Sequence, residues 1–264
     1  MAGPLSARPG RDASPEERGR WWVDVALTEA VRARALTWPA LLASLLVVHV
    51  AGALWQHQHG RGLLSALIGN RAPRPLIRMG GLTGTALQDA QPWRLVTSLF
   101  LHGDGLHLLL NGLAMAGLGS LCEALFGSGR LLWMFLVTGV AGGLLSWSGG
   151  DLTVSIGASG ALFGWMGAAL GFGLRWRAVL PADLSAVLWR RLLPWALLNL
   201  GVGLAIPFLD HRAHLGGLLA GLVLGAFGGN RIVPGRESGR AWSLTRTALC
   251  ALSLAWAALA LAGR

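Results

Sequence analysis

The sequence contains no lysine and no tyrosine, only two cysteines, and few charged residues of any kind. Charged residues make up 13% of the 264 positions, whereas a soluble domain carries roughly 25%. The hydrophobic share is 53%. This composition excludes a soluble enzyme or binding module. It predicts an all-α membrane protein, a polytopic bundle of helices whose backbone groups are satisfied within each helix.

The sequence has little cysteine and few clustered carboxylates, which are the groups that form disulfides and metal sites. Cys122 and Cys250 both lie inside apolar segments, so neither is expected to form a disulfide or to ligate a metal. His211 and His214 have a spacing seen in some metal sites, and His57, His59 and His102 are further candidates, but no carboxylate or cysteine completes a credible ligand set with them. The sequence therefore predicts no metal and no cofactor.

The basic residues are all arginines, and they give a formal net charge of +10. A basic protein can bind nucleic acid. Here the arginines lie between apolar segments, which is typical of topology signals and of contact with anionic lipid. We therefore expect a lipid bilayer as the surroundings and no nucleic-acid partner. Arginine without any lysine indicates a GC-rich genome, which favours a bacterial inner membrane.

Seven apolar segments approach the ~20 residues that a helix needs to cross ~30 Å of hydrocarbon. They are predicted at 38–55, 106–126, 130–147, 154–174, 191–209, 211–229 and 244–262. The domain organisation expected from them is a polar and amphipathic cytoplasmic segment at 1–37, a transmembrane core at 38–229, a cytoplasmic loop at 230–243, and an extra C-terminal transmembrane helix at 244–264. The long loop at about 56–105 is expected to be folded and partly embedded in the membrane.

The distribution of arginine predicts the orientation. With a cytoplasmic N-terminus, the inside segments hold 15 of the 22 arginines and the outside segments hold 7. The C-terminus then lies outside. The second, fourth and sixth segments all begin on the outer side of the membrane.

Polar side chains occur at the starts of these three segments. His107 and Asn111 begin the second, Ser155 to Gly160 begin the fourth, and Asp210 to His214 begin the sixth. Polar groups are costly in a bilayer, so they usually face the bundle interior and mark function. Ser159 is a candidate nucleophile and His214 a candidate general base. Side chains of His107 and Asn111, with the backbone N–H of Ser159, are candidate donors to an oxyanion.

Small residues would let the fourth and sixth segments pack closely enough for a Ser–His hydrogen bond. Gly217, Gly221 and Gly225 recur at four-residue spacing, and Gly160 and Gly164 lie on the fourth segment. The same patterns have a structural interpretation, because histidine, asparagine, serine and glycine also serve simply to pack membrane helices.

Taken together, the motifs over about residues 92–228 resemble the rhomboid intramembrane serine proteases in order and spacing. The residues that carry the resemblance are Trp93-Arg94, His102, His107-Leu108-Leu109-Leu110-Asn111, Glu123-Ala124-Leu125-Phe126-Gly127, Gly157-Ala158-Ser159-Gly160 and Ala213-His214-Leu215-Gly216-Gly217. The resemblance implies a six-helix core, and the segment at 244–262 would add the seventh helix of the six-plus-one form.

The resemblance also implies a role for each matching residue. The catalytic pair is Ser159 and His214, and the oxyanion hole is formed by His107, Asn111 and Ser159. Support of the active site is implied for Gly157, Gly160, Phe163 and Gly217, and structural roles for Trp93, Arg94, His102 and Glu123. The implied activity is a serine endopeptidase that hydrolyses peptide bonds in or near the transmembrane segments of other membrane proteins, with no cofactor.

Two positions near the expected site are not explained by the family motif, Phe163 and Asp210. Phe163 occupies a position where the family often has tyrosine, so the ring is kept and the hydroxyl is lost. No aspartate is expected to orient His214, because Asp210, one turn earlier, is expected at the water surface.

Two other functions fit the sequence less well. A non-cutting rhomboid-like protein that binds membrane helices usually lacks the serine or the histidine, and both are present here. A transporter or channel would need a polar path to both sides of the membrane. The ionisable groups here cluster at the outer ends, and the one buried carboxylate expected, Glu123, lies near the inner end.

Overall fold

The computed structural model describes residues 35–150, 153–206 and 209–230, and a few single positions. These positions are Ser14, Glu17, Trp21, 23–25, Thr28 and Ile232. The predicted seventh helix at 244–262, Cys250 and nearly all of the predicted loop at 230–243 lie outside the described residues. So does most of the N-terminal segment at 1–37.

Within the described ranges every named element is a helix. The α-helices are α1 (Thr37–Gln58), α2 (Leu63–Ile68), α3 (Pro73–Arg78), α4 (Arg94–Thr97), α5 (Gly105–Phe126), α6 (Ser128–Trp147), α7 (Ser159–Arg175), α8 (Ala182–Ala186), α9 (Leu193–Ala205) and α10 (His211–Phe227). A 3₁₀ turn (Ser98–Phe100) follows α4, and a π-helical stretch (Val187–Leu192) joins α8 to α9. The predicted all-α class is confirmed for this part of the chain.

Six of the seven predicted apolar segments contain one of the long helices. Three of these helices, α1, α5 and α6, are long and apolar enough to cross a membrane among the residues that the structure describes. The helices α7 and α10 have 17 residues each, which is about 26 Å of helix. The described chain is thus a helical bundle with at least three helices suited to a membrane.

The predicted start of the fourth segment at residue 154 is wrong, because α7 begins only at Ser159. Before it, Ser155 exchanges two backbone hydrogen bonds with Leu82 of the long loop, at 2.8 and 3.0 Å. Gly157 has φ +110° and donates its N–H to the carbonyl of Ser98 at 2.9 Å. A backbone committed to the loop in this way cannot make the hydrogen bonds of a helix.

The long loop before α5 is folded, as expected. It contains α2, α3 and α4, and Arg94 ties its parts together. The guanidinium of Arg94 is 9% exposed and donates to the carbonyls of Ile77 at 2.6 Å and Gly81 at 2.8 Å. The ring of Trp93 lies 4.6 Å from that guanidinium. Both residues of the Trp93-Arg94 motif therefore take part in holding the loop, although Trp93 is half exposed.

The centre of the bundle is α7, which is buried from Gly160 to Gly173. Its contact with α10 includes close approaches of backbone to backbone. A Cβ atom added at Gly217 would overlap the carbonyl oxygen of Gly160, and one added at Gly221 would overlap that of Gly164. The close packing predicted from the glycine spacing is therefore present.

At the other end of the bundle, the carboxylate of Glu123 joins three helices. The first N–H groups of α1 have no capping side chain of their own. Glu123 on α5 accepts from the Thr37 N–H at 3.0 Å, from the Thr37 hydroxyl at 2.6 Å, and from the Ser128 hydroxyl at the start of α6 at 2.6 Å. The carboxylate is 4% exposed and fully used by these contacts, which makes it a structural group.

Replacing Glu123 with glutamine is expected to destabilise the fold by about 2 kcal/mol, because the amide keeps one acceptor oxygen and sets N–H groups against buried donors. Thermal unfolding in detergent would measure the change. Asp183→Asn is the matched control, since Asp183 is an exposed carboxylate on α8. Equal unfolding temperatures for the two variants would contradict this account of Glu123.

Candidate active site

Two of the residues singled out in the sequence, Ser159 and His214, are in direct contact. Ser159 is the first residue of α7, and His214 lies one turn into α10. The Ser159 Oγ and the His214 Nε2 are 2.8 Å apart. This distance is possible because α7 and α10 meet at small residues, with a Cβ at Gly160 only 3.3 Å from the carbonyl oxygen of Ala213.

The imidazole of His214 is held by an aromatic ring. Phe163, one turn after Ser159 on α7, stacks on it with 4.4 Å between ring centroids and 14° between planes. The stack needs only the ring, so the tyrosine hydroxyl that is missing here has no part in it. Together with 6% exposure of His214, this contact leaves the imidazole little freedom to rotate.

The hydrogen bond with Ser159 sets the tautomer of His214. If Nε2 accepts from the serine hydroxyl, the proton of a neutral imidazole is on Nδ1. That Nδ1 faces α9, where a Cβ at Gly203 would lie 3.7 Å away. Among the described residues it has no hydrogen-bond partner.

The candidate oxyanion donors converge next to Ser159. Gly157 has no side chain, and a Cβ there would lie 2.8 Å from the Nε2 of His107 and 3.9 Å from the Nδ2 of Asn111. The Gly103 N–H donates to the Nδ1 of His107 at 3.4 Å. The Nδ1 is thus an acceptor, and the proton of the neutral ring is on Nε2, facing the backbone before Ser159. Asn111 donates one amide hydrogen to the carbonyl of His107 at 3.0 Å and keeps the other free.

The ring of His107 rests on a buried second histidine. His102 is 0% exposed and meets His107 edge to face, at 5.0 Å between centroids. Burial, and then the proximity of His107, holds the pKa of His102 well below its ordinary value. His102 is therefore neutral at physiological pH and acts as packing beneath the oxyanion donors.

Arg71 holds the chain that leads into α5, and the sequence analysis gave it no role. Its N–H donates to the carbonyl of Gly103 at 2.8 Å, and its guanidinium donates to the carbonyls of His49 at 2.9 Å and His102 at 3.3 Å. Burial lowers the pKa of Arg71 to about 10, so it remains charged. No sequence signal identified it, because its acceptors are carbonyls brought together only by the folded loop.

A cavity of about 730 Å³ opens beside the Ser–His pair. Ser159, His107 and His214 line it, as do Asp104 and Asp210 at the starts of α5 and α10. It lies at the end of the bundle where α5, α7 and α10 begin. In the described ranges no three histidine, cysteine or acidic side chains come together as metal ligands.

Asp210, which the sequence places at the water surface, lines the cavity and is also bonded to other segments of the chain. Its carboxylate is partly buried and accepts from the Ala213 N–H at 2.9 Å, from the Ser155 hydroxyl at 2.5 Å and from the Ser146 hydroxyl at 2.5 Å. These partners come from three different segments, which is why sequence spacing alone did not reveal them.

The chain resembles known proteins over the part that builds this site. A family model described as the Rhomboid domain matches residues 89–231. RHOMBOID-like protein 5 of Arabidopsis thaliana is 36% identical over 162 residues, which cover 60% of this chain and 51% of that protein. Rhomboid protease GluP of Bacillus subtilis (strain 168) is 32% identical over 158 residues, covering 60% of this chain and 30% of GluP. Rhomboid-like protease 5 of Toxoplasma gondii is 32% identical over 170 residues, covering 64% and 20%.

This chain spans about half of the length of the first of these relatives and less than a third of the other two. The matched stretch nevertheless includes α5, α6, α7, α9 and α10 and every residue of the candidate site named above except Arg71. More than half of the chain matches the family, and its described helices form an apolar bundle of the expected kind. The protein is an integral membrane protein that belongs to the rhomboid family.

Proposed function

We propose that this protein is an intramembrane serine endopeptidase that hydrolyses peptide bonds in or near transmembrane segments of other membrane proteins. The observation that carries the proposal is the 2.8 Å contact between Ser159 Oγ and His214 Nε2 at the wall of the cavity. Two of the relatives are named as proteases, which supports the same activity here.

The chemistry follows from the arrangement of atoms. Ser159 Oγ attacks the peptide carbonyl carbon as His214 Nε2 takes its proton. The carbonyl oxygen, now negative, receives hydrogen bonds from the Ser159 N–H, His107 Nε2 and Asn111 Nδ2. His214 gives its proton to the leaving amine, and an acyl-serine remains. Water then attacks the acyl carbon while His214 takes a proton from it. His214 returns this proton to Ser159 Oγ as the acyl–oxygen bond breaks, which restores the serine and releases the acid product.

The substrate must expose a carbonyl that a helix normally keeps in its own hydrogen bonds. A transmembrane segment that unwinds locally, near small residues, meets this requirement. The cavity at the starts of α5, α7 and α10 supplies the water for deacylation.

We also propose how the helices and the two termini are arranged in the membrane. A six-helix core at 38–229 is followed by a cytoplasmic loop at 230–243 and a seventh helix in 244–264, with residues 1–37 in the cytoplasm. The active site and the C-terminus face outward. The excess of arginine in the inside segments supports this orientation, and the absence of lysine supports a bacterial inner membrane.

Reconstitution into liposomes with a set of single-span membrane proteins tests the activity. Cleavage within or beside the transmembrane segment, mapped by mass spectrometry of both products, is the expected result. Stable co-purification of an uncut helix with the folded protein would favour the non-cutting alternative instead.

Asn111→Ala is expected to lower kcat by about 10²–10³-fold, because one donor to the oxyanion is lost. Asn199→Ala is a matched control, since Asn199 on α9 also donates its amide to the carbonyl four residues earlier, at 2.8 Å, but is not a neighbour of Gly157 as Asn111 is. Equal kcat values for the two variants would remove Asn111 from the oxyanion hole.

A further inference from the structure

The carboxylate of Asp210 makes more contacts than a helix cap requires. Its Oδ1 accepts from the Ala213 N–H at 2.9 Å, which is the ordinary capping bond of α10. Its Oδ2 accepts from two hydroxyls, those of Ser146 and Ser155, both at 2.5 Å. Asp104 caps α5 at 2.7 Å in the same way, and among the described residues no hydroxyl donates to it. The additional contacts of Asp210 therefore have a purpose other than capping.

These contacts join three segments at the cavity end of the bundle. Ser146 lies near the end of α6, and Ser155 lies in the extended stretch before α7. Asp210 directly precedes α10. Both carboxylate oxygens are occupied, so Asp210 is poorly suited to bind substrate and well suited to hold these segments together.

The Asp210–Ser155 hydrogen bond precedes the Ser159–His214 bond by the same number of residues on both segments. Ser155 is four residues before Ser159, and Asp210 is four residues before His214, so both bonds span 55 positions. Beyond them, α7 and α10 continue in contact from Gly160 and Gly217 onward. The Ser159–His214 bond is thus held on one side by backbone packing and on the other by the Asp210 carboxylate.

Without the Asp210 carboxylate, the Ser159–His214 pair would be held only by the packing of α7 against α10. The residues before α7 include Gly157, which has a left-handed backbone and faces the oxyanion donors. The first turn of α10 carries His214. A shift between these two pieces moves the base away from the nucleophile and the donors away from the oxyanion. A misplacement of ~1 Å can cost about 10²-fold in rate.

We propose that Asp210 is a positioning residue for the Ser159–His214 pair. Its carboxylate fixes the start of α10 against the stretch before α7 and the end of α6. This inference rests on the proposed protease activity.

The test measures kcat and KM on a cleaved single-span protein, the rate of labelling by a fluorophosphonate, and the unfolding temperature. Asp210→Asn keeps an oxygen for the helix cap and replaces the other with an amide. Ser155→Ala removes one hydroxyl and leaves the cap intact, so it carries the test if Asp210→Asn does not fold. Ser148→Ala is the control, because Ser148 lies two residues after Ser146 and its hydroxyl donates to the carbonyl of Leu145, at 2.8 Å.

Asp210→Asn is expected to lower kcat and the labelling rate by about ten- to a hundredfold with KM nearly unchanged. Ser155→Ala should lower both rates in the same direction, and the double variant should be no slower than Asp210→Asn, since the two residues act through one bond. Ser148→Ala should match the parent. Glu123→Gln, which loosens the opposite end of the bundle, should lower the unfolding temperature and leave kcat unchanged well below it.

Parental kcat in both Asp210→Asn and Ser155→Ala would overturn the inference. So would a fall in kcat that Glu123→Gln reproduces at the same loss of unfolding temperature, because Asp210 would then act through overall stability alone. A folded parent that neither cuts nor labels would refute the protease proposal itself, and the inference with it.

Discussion

Replacing Ser159 with alanine is expected to lower kcat on a transmembrane substrate by roughly 10⁶-fold, as removal of a serine nucleophile does elsewhere. Ser155, four residues earlier, is not expected to replace it, because its hydroxyl donates to Asp210 at 2.5 Å. His214→Ala should cost a similar amount, since the serine hydroxyl is a weak nucleophile without a base. The double variant should be no worse than either single one, because the two residues act as a unit. Cleavage of a single-span protein in liposomes is the measurement.

The control for this experiment is Ser148→Ala, which removes a hydroxyl outside the site and should leave kcat unchanged. A Ser159→Ala protein that still cuts at a tenth of the parental rate would contradict the assignment of the nucleophile. If His214→Ala alone retained activity, a different group would have to take the proton of Ser159.

Replacing Gly217 with alanine is expected to separate α10 from α7. The added methyl group would overlap the carbonyl oxygen of Gly160, and backbone atoms at the centre of a bundle cannot move aside as a flexible side chain can. Overpacking of this kind costs about 1–3 kcal/mol. It also moves His214 relative to Ser159, and a shift of ~1 Å is expected to lower kcat by about 10²-fold. The unfolding temperature and kcat should therefore fall together.

Gly117→Ala is the matched control for the glycine contact. Gly117 is also in the middle of a long helix, α5, but a Cβ there meets no atom within 4 Å. Since alanine favours helix over glycine by about 1 kcal/mol, this variant should be as stable as the parent or slightly more so, with unchanged kcat. Parental activity and stability in Gly217→Ala would show that α7 and α10 do not need the close contact seen here.

The helices and the main site residues were predictable because local patterns specify them. Long apolar runs revealed six of the helices to within about five residues at each end. An apolar segment in lipid must hydrogen-bond its backbone N–H and C=O groups internally, and a helix does so. The contact between Ser159 and His214 followed from polar residues that begin two segments of equal orientation, and from glycines spaced for close packing. The stacking of Phe163 on His214 followed from the family resemblance.

Features that depend on long-range contacts were not predictable. The late start of α7 depends on the bridge between Ser155 and Leu82, two residues far apart in the chain. The burial of Asp210 depends on hydroxyls from two other segments. Arg71 binds carbonyl groups, which every residue carries, so no side-chain pattern could indicate its partners.

Labelling of the purified protein with a fluorophosphonate, followed by mass spectrometry of the modified peptide, tests the central claim most directly. The reagent reacts with a serine only when a base and an oxyanion hole activate it. The account predicts a single adduct on Ser159 that is absent from Ser159→Ala and from His214→Ala. No adduct on a parent protein with native helix content, or an adduct that persists in His214→Ala, would contradict an activated Ser159–His214 pair.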